Sequence, residues 1–144
     1  MNAINILEED HKKLISVMEQ LEAVAKKQTD ECDELFQQFK DTFNQHDDAE
    51  DKIFYVACQK HTQLDWLVRK SYQAHHVVEV ALLELRLMPY TSDTWAPKFS
   101  VVRDSILTHI QEEEAALFPQ AATIFSGEEL NNLGKQILEQ RNQT

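Results

Sequence analysis

Apolar residues recur at steps of three and four along four long stretches of the chain, the spacing that places side chains on one face of an α-helix. The stripe of the first stretch, residues 3–27, consists of Ile4, Leu7, Leu14, Met18, Leu21 and Ala25. The second, from about 31 to 60, carries Leu35, Phe36, Phe39, Phe43, Ile53, Phe54 and Ala57. The third, from about 62 to 88, has Val68, Tyr72, Val78, Leu82 and Leu85, and the fourth follows Phe99, Val102, Ile106, Ala116 and Leu117. Each stretch is therefore predicted to be an amphipathic helix.

Residue types that favour helix ends separate these stretches. Thr62 opens the third helix in a capping-box-like sequence, and Pro89 ends it. Pro97 fits the first turn of the fourth helix, and Pro119 is expected to close it. The chain has only two Gly and three Pro, which favours long helices over many short strands.

A short fifth helix is predicted over about 127–141, after a start signal at Ser126, Gly127 and Glu129. Long helices joined by short connections pack against antiparallel neighbours. The chain is therefore predicted to be all-α and a single domain over 1–144. It would form an up-down-up-down four-helix bundle over about 3–120, followed by the short C-terminal helix.

The overall charge limits the classes of partner. A formal net charge of −11 disfavours nucleic acid and anionic membranes, because both repel an acidic surface. No stretch approaches the roughly 20 apolar residues of a membrane span, and the amino terminus lacks the apolar run of a signal peptide. Two cysteines are too few for a disulfide framework. A cytoplasmic location is expected.

Three of the four apolar stripes are interrupted by ionisable residues. His11 lies between Leu7 and Leu14, and two copies of the spacing His-x-x-x-Glu, His46 with Glu50 and His109 with Glu113, fill the other two gaps. Residues four apart are offset by only about 40° around a helix, so each His and Glu share the inward face. Burying such a pair costs several kcal/mol unless something compensates, and a bound metal ion does so.

The third helix offers two adjacent histidines, of which only one can point inward. His75 lies on an apolar stripe, whereas His76 shares its side of the helix with polar residues such as Arg69 and Gln73. We favour His75. A buried histidine that is merely hydrogen-bonded to a neighbour is common, and a metal-free structural or interaction bundle is the alternative. Structural histidines, however, have no reason to recur once in every helix.

Four histidines and two glutamates exceed the four ligands of one zinc ion. Helical bundles hold di-iron or di-manganese centres with mixed imidazole and carboxylate ligands, and the imidazole content here favours iron over manganese or zinc. The usual bundle pattern is Glu-x-x-His on two helices. This chain instead has a His on each of the four long helices, and on two of them the Glu comes four residues after the His.

These motifs resemble the hemerythrin-like family, the HHE cation-binding domains. The resemblance covers roughly residues 5–120, and its most specific part is the run from His109 to Pro119. It implies two iron ions of the Fe–O–Fe type. The implied terminal ligands are His11, His46, His75 and His109, and the bridging carboxylates are Glu50 and Glu113.

Some ligand positions have alternatives. In the oxygen-carrying hemerythrins the second bridging carboxylate lies five residues after its His, which is Glu114 here, although helical phase favours Glu113. Those carriers also have a further His one turn after the first in helix three, where this chain has Glu79. The additional candidate ligands are therefore His76, Glu79 and Glu114.

The resemblance implies a non-haem di-iron protein that binds O2, NO or peroxide at an open iron position, for sensing, storage or detoxification. An enzyme that reduces NO or peroxide, or that acts in iron–sulfur cluster repair, is the alternative. The expected partner is thus a small diatomic or peroxide molecule, without nucleic acid or membrane, and no protein partner is indicated.

Overall fold

The computed structural model describes residues 1–143, and every regular element among them is helical. The all-α prediction is thus confirmed. The elements are α1 (Ala3–Lys27), α2 (Glu31–Ala49), a first π-helical segment (Glu50–Phe54), α3 (Tyr55–Cys58), α4 (Thr62–Arg86), α5 (Trp95–Glu112), a second π-helical segment (Glu113–Leu117), α6 (Phe118–Ile124) and α7 (Gly127–Asn142). Within residues 1–143, no helix combines the length and apolar character needed to cross a membrane.

The helix ends differ from the sequence prediction in two places. His61, not Thr62, occupies the N-cap position of α4, and no side chain caps it. The expected end at Pro119 is wrong, because helical structure continues through α6 to Ile124. The amide of Phe118 donates to the carbonyl of Glu113, five residues back, so the chain has already left the α-helical register when Pro119 is reached. A new α-helical stretch begins there and tolerates a proline in its first turn. Ser126 caps α7 in a complete capping box, as its sequence predicts.

The two π-helical segments are the main feature that the sequence prediction lacks. Each begins at the Glu of a His-x-x-x-Glu motif, and each adds one residue to a turn. As a result, the residues four and five positions after the glutamate are both buried: Phe54 and Tyr55 after Glu50, and Leu117 and Phe118 after Glu113. In an unbroken α-helix, the residue five positions after each glutamate would lie about 140° around the axis from it, and the extra residue of the π-helical turn brings it back toward the inward face.

The apolar core has two halves. The upper core contains residues from α1, α2, α4 and α5, including Leu14, Phe39, Phe43, Val78 and Ile106. The lower core contains Leu7, Phe54, Val68 and Leu117, and it also takes in Ile137 of α7.

A buried polar layer separates the upper core from the lower core. Its members come from the helices that also build both halves, and all are less than one-tenth exposed. They are Asp10, His11, His46, Asp47, Glu50, Ser71, His75 and Glu113. The interruptions of the apolar stripes in the sequence correspond to this layer.

Helix α7 packs against α1 and covers the lower core. Gly134 is the point of closest approach. A Cβ atom built on Gly134 would lie 2.5 Å from the carbonyl oxygen of Met1 and 3.0 Å from the amide nitrogen of Ala3. Both atoms belong to the backbone, so neither can rotate away.

We therefore predict that Gly134→Ala lowers stability by about 1–3 kcal/mol, because the added methyl must push the first residues of α1 away from α7. Gly127→Ala is the matched control, since no described residue outside the local backbone of Gly127 comes within 4 Å of the position that its Cβ would occupy. The control should be neutral or stabilising by up to about 1 kcal/mol. Chemical denaturation of both variants measures the difference, and equal stabilities would contradict the close packing of α7.

Candidate metal centre

The polar layer and half-buried His109 of α5 together contain all six residues of the predicted ligand set. They form two clusters in which atoms able to bind a metal lie within 4.8 Å of one another. The first cluster contains His11, His46, Glu50 and Glu113, and the second contains Glu50, His75 and His109. Glu50 belongs to both clusters, so the two lie side by side rather than as separate sites.

The two glutamates span the clusters. Glu50 Oε1 lies 2.9 Å from His46 Nε2 and 3.2 Å from His75 Nε2. Glu113 Oε1 lies 3.0 Å from His11 Nε2, while its other oxygen, Oε2, lies 3.5 Å from His109 Nε2. Each carboxylate thus faces imidazoles of both clusters, which is the position that a bridging ligand requires.

Several atoms of the centre have no hydrogen-bond partner among the described residues. Both carboxylate oxygens of Glu50 and Nε2 of His46 are buried in this state. His46 Nε2 and Glu50 Oε1 are close, but their geometry is not that of a hydrogen bond. His75 Nε2 and His109 Nε2 lie 3.0 Å apart, within hydrogen-bond distance of each other. Unpaired buried acceptors are costly, and lone pairs that converge in this way fit a cation between them.

Carboxylates orient three of the four imidazoles from behind. Nδ1 of His11 contacts Glu114 Oε2 at 2.6 Å, and Nδ1 of His46 contacts Asp10 Oδ2 at 2.9 Å. Nδ1 of His75 contacts Asp51 Oδ1 at 2.9 Å, and Asp47 lies against the same nitrogen. A hydrogen bond at Nδ1 fixes the tautomer that leaves Nε2 free to bind a metal.

Helix α7 adds to these supporting contacts through Arg141. Its guanidinium pairs with the buried carboxylate of Asp10, which in turn contacts His46. Although burial opposes ionisation, His46 and Arg141 lower the pKa of Asp10. The C-terminal helix therefore supports the orientation of a candidate ligand, a role that its apolar stripe gave no reason to expect.

Tyr55 is the residue of the centre that the sequence pattern did not predict. Its hydroxyl donates a short hydrogen bond to Glu113 Oε2 and lies 3.4 Å from His75 Nε2 and 3.5 Å from His109 Nε2. Burial, together with the Glu113 and Glu50 carboxylates, raises the pKa of the phenol well above its ordinary value. Tyr55 follows Glu50 by five residues, about 140° away in a regular helix, so steps of three and four along the sequence do not indicate it.

The three additional candidates lie outside both clusters. His76 and Glu79 are exposed on α4, and Glu79 lines a surface cavity with residues of α2. The side chain of Glu114 is 39% exposed and contacts the Nδ1 side of His11, whereas buried Glu113 faces its Nε2. The structure thus places Glu113, and not Glu114, between the two clusters.

Without a metal, protons take the place of the cation. Burial alone would lower the pKa of His46, but the neighbouring carboxylates Glu50 and Asp10 outweigh it and raise this pKa to about 10. The pKa values of His11 and His75 are also raised, against the effect of burial, by the carboxylates that they contact. The centre therefore attracts positive charge.

The donor set is nitrogen and oxygen without sulfur. Cys32 and Cys58 are buried, and neither belongs to a cluster among the described residues. Burial, with the nearby Glu113 and Glu50 carboxylates, raises the pKa of the Cys58 thiol to about 12, so it stays protonated. Imidazole and carboxylate ligands without thiolate suit iron, manganese or zinc.

Fold and centre together define a helical domain built to hold cations. In agreement with this, a model of the hemerythrin HHE cation binding domain matches residues 2–121. The chain therefore belongs to the hemerythrin HHE cation-binding domain family, and the resemblance inferred from its motifs is confirmed.

Comparison with a solved structure gives independent support for the fold. No curated protein matches the chain. The crystal structure of a hemerythrin HHE cation binding domain-containing protein from Mycobacterium kansasii, a homologue of Rv2633c, is similar, with a TM-score of 0.86 and 21% identity. The match covers 99% of this chain and 86% of that one. At this identity the likeness establishes the shared hemerythrin-type helical fold alone.

The raised pKa of His46 predicts how the stability of the metal-free protein depends on pH. Protonated His46 stabilises the folded state fully below the ordinary pKa of 6.5, and this contribution is lost as the pH rises through about 10. The loss should be on the order of a few kcal/mol. His46→Gln cannot titrate, so its stability should fall less over the same range. Urea denaturation of both metal-free proteins between pH 6 and pH 10 provides the measurement, and parallel profiles would contradict the assignment.

Proposed function

We propose that the domain is a non-haem di-iron protein that binds O2, NO or peroxide at one of two adjacent iron ions. The observation that carries the proposal is the pair of clusters that share Glu50, with neither oxygen of this buried carboxylate hydrogen-bonded among the described residues. Such oxygens need a cation.

The number and type of donors favour two iron ions. Four imidazoles and two carboxylates exceed the needs of a single tetrahedral zinc site. Carboxylate-bridged pairs of iron or manganese ions are the centres that helical bundles hold with nitrogen and oxygen ligands. The imidazole content favours iron.

In this proposal His11 and His46 hold one ion, and His75 and His109 hold the other. Glu50 and Glu113 bridge them, since each carboxylate faces histidines of both clusters. Iron supplies the redox and ligand-binding chemistry when it is bound. The chain keeps the imidazoles oriented through carboxylates at Nδ1, and it excludes bulk water by means of the upper and lower cores.

The up-down-up-down order of the helices belongs to the same proposal. Contacts between α1 and α2 and between α4 and α5 support it, because each pair is consecutive along the bundle and is joined by a short connection.

The ion held by His75 and His109 is the better candidate to keep a coordination position open for a ligand. The His109 side chain is 12% exposed, against 1–4% for His11, His46 and His75. A cavity of about 280 Å³, lined by His109 and Glu113, opens beside it. The first ion has a fuller donor set, with two histidines and both glutamates in one cluster.

An enzymatic role, with turnover of NO or peroxide, would use the same open position. It needs a reductant as well as the metal centre. Repeated consumption of either ligand in the presence of a reductant would distinguish turnover from simple binding.

The direct test is the metal content and visible spectrum of protein purified in air. We expect close to two iron ions per chain and ferric absorption that dithionite removes. Zinc or manganese in place of iron would refute the iron assignment, and metal-free, colourless protein after anaerobic loading with ferrous iron would refute the whole proposal.

A pair of adjacent substitutions tests the ligand assignment. His75→Ala removes a buried imidazole of the second cluster, so the protein should retain about one iron ion fewer and lose its response to NO. His76→Ala is the matched control on the exposed side of α4, and it should keep the iron content and spectrum of the unmodified protein. Elemental analysis of both variants decides the assignment, which fails if they retain equal amounts of iron.

Chelation should also lower the melting temperature. Removing the cations leaves Glu50 and Glu113 buried beside each other's charge, with only protonated histidines to compensate. A melting temperature that is unchanged after chelation would favour a metal-free structural bundle. His46→Gln, which should hold less metal, is expected to show a smaller chelation effect than the unmodified protein.

A further inference from the structure

The cavity of about 280 Å³ beside the metal centre lies in the groove between α4 and the junction of α5 with the second π-helical segment. Its lining includes two candidate metal ligands, His109 and Glu113. A molecule in this cavity therefore adjoins the centre directly. O2, NO and hydrogen peroxide are far smaller than the cavity, whose volume approaches the roughly 300–1,000 Å³ of pockets that hold organic ligands. The cavity thus has room for an organic group next to the metal centre.

The walls of the cavity are mostly apolar. On α4, Leu67, Ser71 and Ala74 follow one another at steps of four and three, so they lie on one face of the helix. Ala116 and Leu117 of the second π-helical segment complete the lining on the other side. Four of these five side chains cannot form hydrogen bonds, so they suit an alkyl group that is transferred out of water.

The charges at the mouth of the cavity favour an uncharged ligand. Lys70 Nζ lies 3.4 Å from a carboxylate oxygen of Glu112, and both side chains are about half exposed. This ion pair adds no net charge at the mouth, while the formal net charge of −11 on the chain repels anions. A neutral molecule is therefore favoured over one that carries a carboxylate or a phosphate.

We propose that the cavity binds the organic group of small, uncharged alkyl hydroperoxides and so brings their O–O bond to the metal centre. The alkyl group of such a molecule fits the apolar walls, and its peroxide group faces the part of the lining formed by His109 and Glu113. This inference rests on the proposed di-iron function and identifies the class of peroxide that the centre reduces.

The reaction is a two-electron reduction that the reduced centre supplies. Each of the two ferrous ions gives one electron and becomes ferric, and the O–O bond breaks. The oxygen on the alkyl group takes a proton from the solvent and forms an alcohol. The terminal oxygen keeps its hydrogen, takes a second proton from the solvent and forms water.

The first experiment compares two identical substitutions at matched positions of α4. Ala74→Leu should fill the cavity, whereas Ala81, two turns later on the same side of the helix and also half-buried, packs against the upper core. Iron-loaded protein is reduced with dithionite, freed of excess reductant and mixed with tert-butyl hydroperoxide or hydrogen peroxide. Stopped-flow absorption measures the rate of iron oxidation by each peroxide, and elemental analysis measures the iron content of each variant.

The ratio of the tert-butyl hydroperoxide rate to the hydrogen peroxide rate reports access of the alkyl group. In the unmodified protein this ratio should be no more than about tenfold below that of ferrous EDTA, whose iron is open to both peroxides. Ala74→Leu should lower the ratio at least about tenfold, and Ala81→Leu should keep it within about twofold of the unmodified value. A lower ratio in the unmodified protein, or equal ratios in all three proteins, would overturn the proposal.

A second measurement needs neither iron nor turnover. Metal-free protein labelled with nitrogen-15 is titrated with tert-butanol, the alcohol that the reaction would release. The backbone amide signals of Ser71, Ala74 and Ala116 should shift in the unmodified protein and should shift at least about twofold less in Ala74→Leu at equal alcohol concentration. Unchanged signals in the unmodified protein would contradict binding of the alkyl group in this cavity.

Leu67→Ala is the opposite test, and it does not depend on tolerating a larger side chain. Removing most of this half-buried side chain enlarges the cavity. The rate ratio of the bulkier cumene hydroperoxide to hydrogen peroxide should therefore rise at least about fivefold above that of the unmodified protein. An unchanged ratio would count against the cavity as the binding place of the organic group.

The outcomes separate this inference from the function on which it rests. If the unmodified protein holds no iron after loading, the di-iron function and this inference both fail. If the iron-loaded protein reacts with hydrogen peroxide or NO but tert-butyl hydroperoxide is excluded, the inference fails and the di-iron function stands. A ratio that falls in Ala74→Leu and rises in Leu67→Ala, at unchanged iron content, supports the inference.

Discussion

The structure depends on burying two carboxylates and three imidazoles in one layer between two apolar cores, with a fourth imidazole, His109, half-buried beside them. Desolvation opposes every charge in this layer, so the residues remain folded inward only when opposite charge lies among them. In the absence of metal, protons supply that charge, which is why the pKa of His46 rises to about 10 despite complete burial. The carboxylates at Nδ1, and Arg141 behind Asp10, extend the compensation outward to the surface of α7.

The π-helical segments follow from the same requirement. A regular helix could present His46, Glu50 and Phe54 inward, but Tyr55 would then lie about 140° around the axis from Glu50. The extra residue lets Phe54 close the lower core while Tyr55, also inward, directs its hydroxyl to Glu113. The second segment repeats the arrangement with Leu117 and Phe118, and the latter stacks on His11. Each π-helical segment thus places a candidate metal ligand and residues of the lower core within one turn of helix.

The sequence alone indicates most of the residues that the structure brings together, because the interruptions of the apolar stripes are the candidate ligands. His11, His46 and His109 are visible as polar positions on apolar faces. His75 is distinguished from His76 because the residues one turn away from His75 along the helix are apolar. Tyr55 and the end of α6 were not predicted, since both follow from a shift of helical register that steps of three and four cannot reveal. Arg141 was missed for another reason: its partner Asp10 is distant in sequence, and a charged residue near a helix end ordinarily faces solvent.

The two sides of the centre differ in how they are closed, and this asymmetry bears on function. On the His11 and His46 side, Glu114, Asp10 and Arg141 hold the imidazoles, and α7 covers the adjoining core. On the His109 side, small residues of α4 and of the second π-helical segment leave a cavity. The proposed di-iron centre would need this inequality to bind a ligand at one ion, because a second open position would expose Glu50 and Glu113 to water and weaken the charge compensation that keeps them buried.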